Sequence, residues 1–309
     1  MFMEHVPRDI KQQEGPTLTK RGPSSTLRAW ELGMRLRRAR GDLGLTAAAV
    51  AKRVGIAPSN FSAIEAGKRR VTASNLAQLT DVYELDDAER EMLESLRVDA
   101  EQRNWWHDYA ELYSEEFLRF LGLEAGASTV REWAPIYVAG LLQTNEYARA
   151  TIRAGSPYIK AVDVGPRLET RLARQTLLEE EPRLNMEVNL SEFALRQQVG
   201  GPAAICRQLD QLTEVITRDN STVKVRVVKY TAGAHALTGG PLSLLSFDNV
   251  LLPDLIWQET AITGNLIDRV QVIREFKASF ENVFESVALD DEDSLALIQQ
   301  IRHEMEAAA

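Results

Sequence analysis

One cysteine stands in the 309 residues, so no internal disulfide can staple the fold. Cys206 sits in "AAICRQLDQLTEVI", a helix-like run, and reads as a small core residue rather than a nucleophile. Histidine is equally sparse. His5, His107, His235 and His303 stand far apart, with no His-x-x-x-His and no cysteine beside them. Metal-ligand spacing is therefore missing, and neither a metal nor a cofactor is expected. No stretch reaches the 18 apolar residues that a membrane helix needs, so no membrane association is expected. The opening "MFMEHVPRDIKQQEGP" lacks the apolar centre of a signal peptide, which makes a cytoplasmic location the expectation. "TAGAHALTGGP" is glycine-rich but has no Lys-Ser/Thr and no helix start after it, so it makes a poor phosphate loop. The acidic run at 290–293 suits a helix N-terminus better than a metal. No serine-nucleophile motif stands out, and catalysis is not expected.

What is present is an ordinary globular balance, 44% hydrophobic and 26% charged, in a chain long enough for two domains. The net charge of −9 argues against nucleic acid until its distribution is read. Residues 27–72 hold ten Lys/Arg against three acids, a net of +7. Residues 1–26 carry +1, which leaves −17 for 73–309. A basic module joined to an acidic body implies a division of labour.

Residues 1–26 are polar, with Gly-Pro at 15–16 and 22–23, and read as a disordered tail. A helix is predicted from Leu27, with Leu32, Leu36, Ala39 and Leu43 in one stripe and Gly44 at its end. Thr46 caps a second helix whose inner face is Val50, Ala51 and Val54. Gly55 stops it in a position that favours a left-handed backbone. A third helix starts at Pro58, where a missing N–H costs nothing, and buries Phe61 and Ile64. Its outward positions, Pro58, Ser59, Asn60, Ser62 and Ala63, are short or polar, as entry into a major groove requires. A fourth helix around 74–82 and a fifth from Asp86 to Arg97 complete a five-helix module over 27–98.

Together "LGMRLRRARGDLGLTAAAVAKRVGIAPSNFSAIEAGKRRVT" resembles the Xre/Cro-repressor type of helix-turn-helix. The shared pattern is Gly44-Leu45, Val50-Ala51, the turn Gly55, Ser62, and the Glu65-x-Gly67-Lys68 exit. The resemblance implies an all-α, lambda-repressor-like fold in which Arg40 pairs with Glu65. It turns Pro58, Ser59 and Ala63 toward bases and Thr46, Asn60, Lys68 and Arg69 toward phosphates, with Arg70 in the same cationic flank. Ala47 and Ala63 stand where the family often has Gln, so amide contacts to adenine are lost there.

The body, 105–309, reads as α+β: an amphipathic helix at 105–121, helices at about 144–154 and 166–180, and a strand in "LNMEVNLSEFAL". A helix at "AAICRQLDQLTEVITRD", strands in "TVKVRVVKY", "PLSLLSFDN" and "NVLLPDLIWQET", and closing helices at about 269–287 and 292–306 follow. The expected architecture is a small sheet with flanking helices. "REWAPIYVAGLLQTNEYARATI", with "RLETRLARQTLL", "EVNLSEFALRQQVGGPA" and "VKVRVVKYTAGAHALTGG" after it, is similar to the large domain of a family of actinobacterial antitoxin-like regulators. It departs at Val138-Ala139, where a Val-Pro pair is common, and at Asn145, where Pro is common. That resemblance implies pairing with a small protein from a neighbouring gene; small-molecule sensing is the competing view. Trp133, Tyr137, Leu141, Leu142, Gln143, Thr144 and Tyr147 are candidates for a groove, the alternative being core packing and a helix cap. Arg167, Arg171 and Arg174 share one helix face, which either receives an acidic partner or is solvated or paired internally. The expected function is sequence-specific binding of double-stranded DNA as a homodimer, with the body responding to a partner or effector. The alternative is an interaction protein that sequesters its partner and binds DNA only for autoregulation.

Overall fold

The computed structural model describes residues 24–155, 159–260 and 263–307. Helix α1 (Ser25–Asp42) begins two residues earlier than its apolar stripe suggests, because Ser24 caps it through Leu27 N at 3.3 Å. Ser24 and Ser25 are buried, and the Ser25 amide donates to Asn104 Oδ1 at 3.0 Å. The end of the expected tail is thus part of the fold, while residues 1–23 of it lie outside the described residues. Leu43 corrects the stripe: it caps α1 and is 47% exposed.

Helices α2 (Ala47–Arg53), α3 (Pro58–Glu65), α4 (Ala73–Val82) and α5 (Asp87–Glu101) follow, with Thr46, Thr72 and Asp86 accepting from the backbone as caps of α2, α4 and α5. Leu32, Leu36, Val50, Ala51, Phe61, Ile64, Leu79 and Leu93 close this module's own core. Gly55 adopts φ +67°, the left-handed turn expected between α2 and α3.

The amphipathic segment at 105–121 is two elements, not one helix. A 3₁₀ segment covers Trp105–Leu112, the chain extends at Tyr113, and Ser114 caps α6 (Glu115–Gly126). Beyond it lie β1 (Thr129–Ala134), α7 (Asn145–Ala154), α8 (Val164–Gln175), β2 (Asn185–Ser191), α9 (Glu192–Arg196), α10 (Pro202–Thr217) and β3 (Val223–Val228). The chain then forms β4 (Leu242–Ser246), β5 (Leu255–Glu259), β6 (Gly264–Ile267), α11 (Val270–Ser286) and α12 (Asp291–Ala307). The six strands make one mixed sheet in the order β3-β2-β1-β4-β5-β6, with β1, β2 and β3 parallel and the rest antiparallel. Alternation sends Val130, Leu245, Leu255 and Trp257 into the large core with α6, α10 and α12. The opposite face, with Trp133, Leu244 and Ile256, packs on Phe276, Phe280 and Phe284 of α11. No helix among the described residues is long and apolar enough to cross a membrane.

The two modules share a buried contact. Trp30 of α1 belongs to the large core and meets Phe247 edge-on at 5.4 Å. Helix α6 can lie against α1 because Gly122 is bare: a Cβ there would sit 2.1 Å from Thr26 Oγ1.

Candidate nucleic-acid interface

Helix α3 is held by Phe61 and Ile64 and by one ion pair. Arg40, at the end of α1, reaches Glu65 at the end of α3, Nε to Oε1 at 2.6 Å and Nη2 to Oε2 at 2.9 Å. Its Nη1 also donates to Leu45 O at 2.8 Å, so one guanidinium joins three segments. This is the pairing the resemblance implies. Glu65 holds Arg40 above its ordinary basicity, through the hydrogen bond first and charge second.

With its inner face pinned, α3 turns Pro58, Ser59 and Ser62 to solvent and leaves Asn60 and Ala63 partly exposed. Ala57 offers no capping side chain, so the first-turn amides at the positive end of the helix are left to an outside acceptor. Thr46, Lys68, Arg69 and Arg70 are exposed beside it, and Arg69 Nη1 donates to Asn60 Oδ1 at 2.9 Å, which ties the cationic exit to the first turn of α3. The other cations of residues 27–72 divide into two groups. Arg28 and Arg35 are spent on buried Glu31, and Arg40 on Glu65. Arg37, Arg38, Lys52 and Arg53 are exposed, Arg38 within 3.9 Å of Asp42, although the helix-turn-helix pattern did not mark them.

The exit of α3 is clamped to the body, which the sequence did not reveal. Arg119 of α6 donates through Nη2 to Ala66 O at 2.9 Å, and burial lowers the Arg119 pKa. Gly67, at φ +64°, rests on Trp30, where a Cβ would sit 2.4 Å from the Trp30 Cα. The only sequence signal was a tryptophan in the middle of a charged helix.

The proposed groove residues do not line one groove. Leu141, Leu142 and Tyr147 are core, with the Tyr147 hydroxyl accepting from Val138 N at 3.2 Å. Gln143 is buried between Val138 O, at 2.7 Å, and Arg171 Nη1, at 2.8 Å. Thr144 caps α7, and its amide donates to Gln208 Oε1 at 2.8 Å. Trp133 points to the opposite sheet face, with Nε1 on Gly239 O at 3.2 Å. Only Tyr137 is open, 42% exposed, beside Gln197 and Gly200 in a shallow cleft. The physical reason is backbone accounting: the polar residues satisfy amides and carbonyls of the loop after β1 rather than face outward.

Comparison with known families adds two matches. A model described as a helix-turn-helix domain covers residues 31–93. A second, for a domain of unknown function designated DUF5753, covers residues 117–300, more than half of the chain. The chain belongs to the DUF5753 family. No curated protein and no solved structure matches it. The helix-turn-helix match places the N-terminal module among domains that DNA-binding regulators carry, and the DUF5753 domain comprises the sheet and the helices around it.

Within the DUF5753 domain the arginine face of α8 is turned inward. Arg167 donates to Leu112 O and lies 4.7 Å from the Tyr113 ring centre. Arg174 grips Glu124 of α6 with two bonds of 2.7 Å and lies 5.4 Å from the Phe120 ring centre. Near them Glu132 of β1 is pushed from 4.5 to about 7, by burial first, against the pull of Arg174. A carboxyl raised this way stabilises the fold fully below its unfolded value, and the contribution is lost as pH rises through about 7. Glu132→Gln is therefore expected to be more stable than the parent at pH 8, by on the order of 2–3 kcal/mol, and close to it at pH 5. Urea unfolding at the two pH values checks this; an equal difference at both would remove the buried titration.

Proposed function

We propose that the chain is an Xre-type, sequence-specific transcription regulator that binds double-stranded DNA as a dimer and responds through its DUF5753 domain. The observation that carries this is the outward face of α3, small and polar from Pro58 to Ala63 and flanked by exposed Lys68, Arg69 and Arg70, on a chain whose remainder is acidic. One short helix reads few base pairs, and two half-sites supply the missing affinity. Arg119 supports a response route: α6 touches the exit of α3 at one end and Glu124 ties its other end to α8. A shift of α6 would move the base-reading helix without any change in the DNA contacts themselves.

The antitoxin-like reading, in which the body pairs with a small protein, draws support from a different place. Tyr137 after β1, Phe193 in α9 after β2 and Tyr230 after β3 are large and exposed, at the carboxyl ends of three neighbouring parallel strands. Such a patch suits a protein partner.

Genomic footprinting with purified protein, with and without the product of a neighbouring small gene, tests both readings. Within the footprint, Arg69→Ala is expected to weaken target and random DNA alike by about tenfold, as loss of a phosphate contact does. Ser59→Ala or Ser62→Ala is expected to change which sequence is preferred, by about 1 kcal/mol of discrimination. Equal losses on all sequences would take the two serines out of base reading.

A further inference from the structure

The exposed aromatic side chains all stand on one end of the sheet. Tyr137 lies three residues past β1, Phe193 two past β2 and Tyr230 two past β3, and these three strands are neighbours. No other Phe, Tyr or Trp among the described residues is exposed. Hydrogen bonds join the three positions into one surface. Glu192, at the start of α9, accepts from Tyr230 N at 3.0 Å, and Gln197, just past its end, donates to Ile136 O at 3.1 Å. Helix α9, which carries Phe193, thus bridges the segment after β3 and the segment after β1.

This end is nearly free of charge. Segments 135–144, 192–201 and 229–241 follow the three strands and hold three charged residues among 33, in a chain that is 26% charged. Two of the three, Glu192 and Arg196, pair with each other at 2.8 Å, which leaves Lys229. Aromatic enrichment with charge depletion marks the centre of a protein interface rather than a site for an anion or for nucleic acid. The charge of the body then selects the partner. Residues 105–309 carry a net of −11, so two copies repel over most of their surface and meet at least cost where charge is missing. An unlike, basic partner would be drawn to the acidic faces instead.

The same end holds both a projection and a recess for it. A cleft of about 300 Å³ lies between α7 and the 197–200 loop, with Tyr137, Ala150, Ala154 and Gly200 in its lining and no charged residue there. It opens beside Gln197, and Tyr230 is tied to the opposite end of α9. Phe193 is carried on the helix between them. A two-fold axis beside Phe193 therefore sets Tyr230 of each copy over the cleft of the other, as a self-complementary interface requires.

We propose that this end of the sheet is the face on which two copies of the chain associate. Phe193 meets its counterpart across the two-fold axis, and Tyr230 enters the cleft beside Tyr137 of the second copy. The proposal rests on the dimeric reading above and gives that dimer its place, and it is tested without DNA.

The test is sedimentation equilibrium of the full chain, with thermal unfolding to confirm that each variant is folded. The parent is expected to dimerise in the micromolar range. Phe193→Asp and Phe193→Lys are each expected to weaken the dimer at least about 100-fold, because each sets like charges on both sides of the axis. Mixing the two variants is expected to restore a dimer holding one of each. Tyr230→Asp is expected to weaken the dimer at least about tenfold. Val250→Asp is expected to leave it unchanged, since Val250 is exposed between β4 and β5, at the end of the sheet where β1 begins. A parent dimer that survives both Phe193 variants and Tyr230→Asp overturns the placement and leaves the dimeric reading standing. Phe193 variants that separate but do not rejoin when mixed overturn the two-fold contact. A parent that stays monomeric throughout the micromolar range overturns the placement and the solution dimer together.

Discussion

Raising salt from 50 to 200 mM is expected to weaken operator binding by roughly 10³–10⁵-fold. The reasoning starts from which cations are free. Arg28, Arg35 and Arg40 face Glu31 and Glu65 and can release no counter-ions on DNA binding. Lys52 and Arg53 at the end of α2 and Lys68, Arg69 and Arg70 after α3 are exposed, and so is Arg37 on α1. If a dimer brings about 6–10 of these to phosphates, log affinity falls against log salt with a slope on the order of −5 to −9. The body works the other way. Its net charge of −11 repels the duplex, and salt screens that repulsion over about 10 Å at 0.1 M, which flattens the slope. An isolated N-terminal module, if it folds, would therefore show the steeper line. Fluorescence anisotropy on a footprinted site measures the slope. A flat response would mean that these side chains meet no phosphates.

The N-terminal module was legible because its signals are local. The cap at Thr46, Gly55 at the turn and Pro58 at a helix start each act within a few residues, and each appears where expected; the fifth helix, expected from Asp86, starts one residue later with Asp86 as its cap. The ends were less legible. The start of α1 depends on Ser25 bonding to Asn104, 79 positions away in sequence, which no window of residues contains.

In the body the central strand β1 was missed. "TVREWA" hides its alternation because Glu132 occupies a position on the core face between Val130 and Ala134. Strand β6 has four residues and pairs only with β5, too short for a periodic signal. The groove expectation failed for a related reason. Gln143 and Thr144 look like ligand-facing residues in sequence, but a loop buried after a central strand needs polar side chains to satisfy its own backbone. The arginines of α8 were placed on one face correctly; that the face points inward depends on Glu124 and Tyr113, which lie far off in the chain.

Glu124→Ala is expected to cost about 3–5 kcal/mol of stability. Both partners are withdrawn from water, the Glu124 side chain 3% and the Arg174 side chain 11% exposed. Glu124 keeps Arg174 charged despite the burial that opposes it. Removing the carboxylate leaves a guanidinium that cannot shed its proton, with Glu132 and Glu259 as the acids still acting on it among the described residues. Replacing both partners is a different experiment. Glu124→Leu with Arg174→Met removes both charges and keeps the volume, so most of the loss should be recovered. A chemical-denaturation cycle over the four proteins separates the two costs. A single variant that loses less than about 1 kcal/mol would place the pair in the class of solvated surface bridges. The same variant also bears on function, because α6 carries Arg119 to Ala66 at the exit of α3. If α6 is the link between body and DNA-reading helix, Glu124→Ala should lower DNA affinity under conditions where the chain is still folded, and Glu124→Leu/Arg174→Met should restore it along with stability.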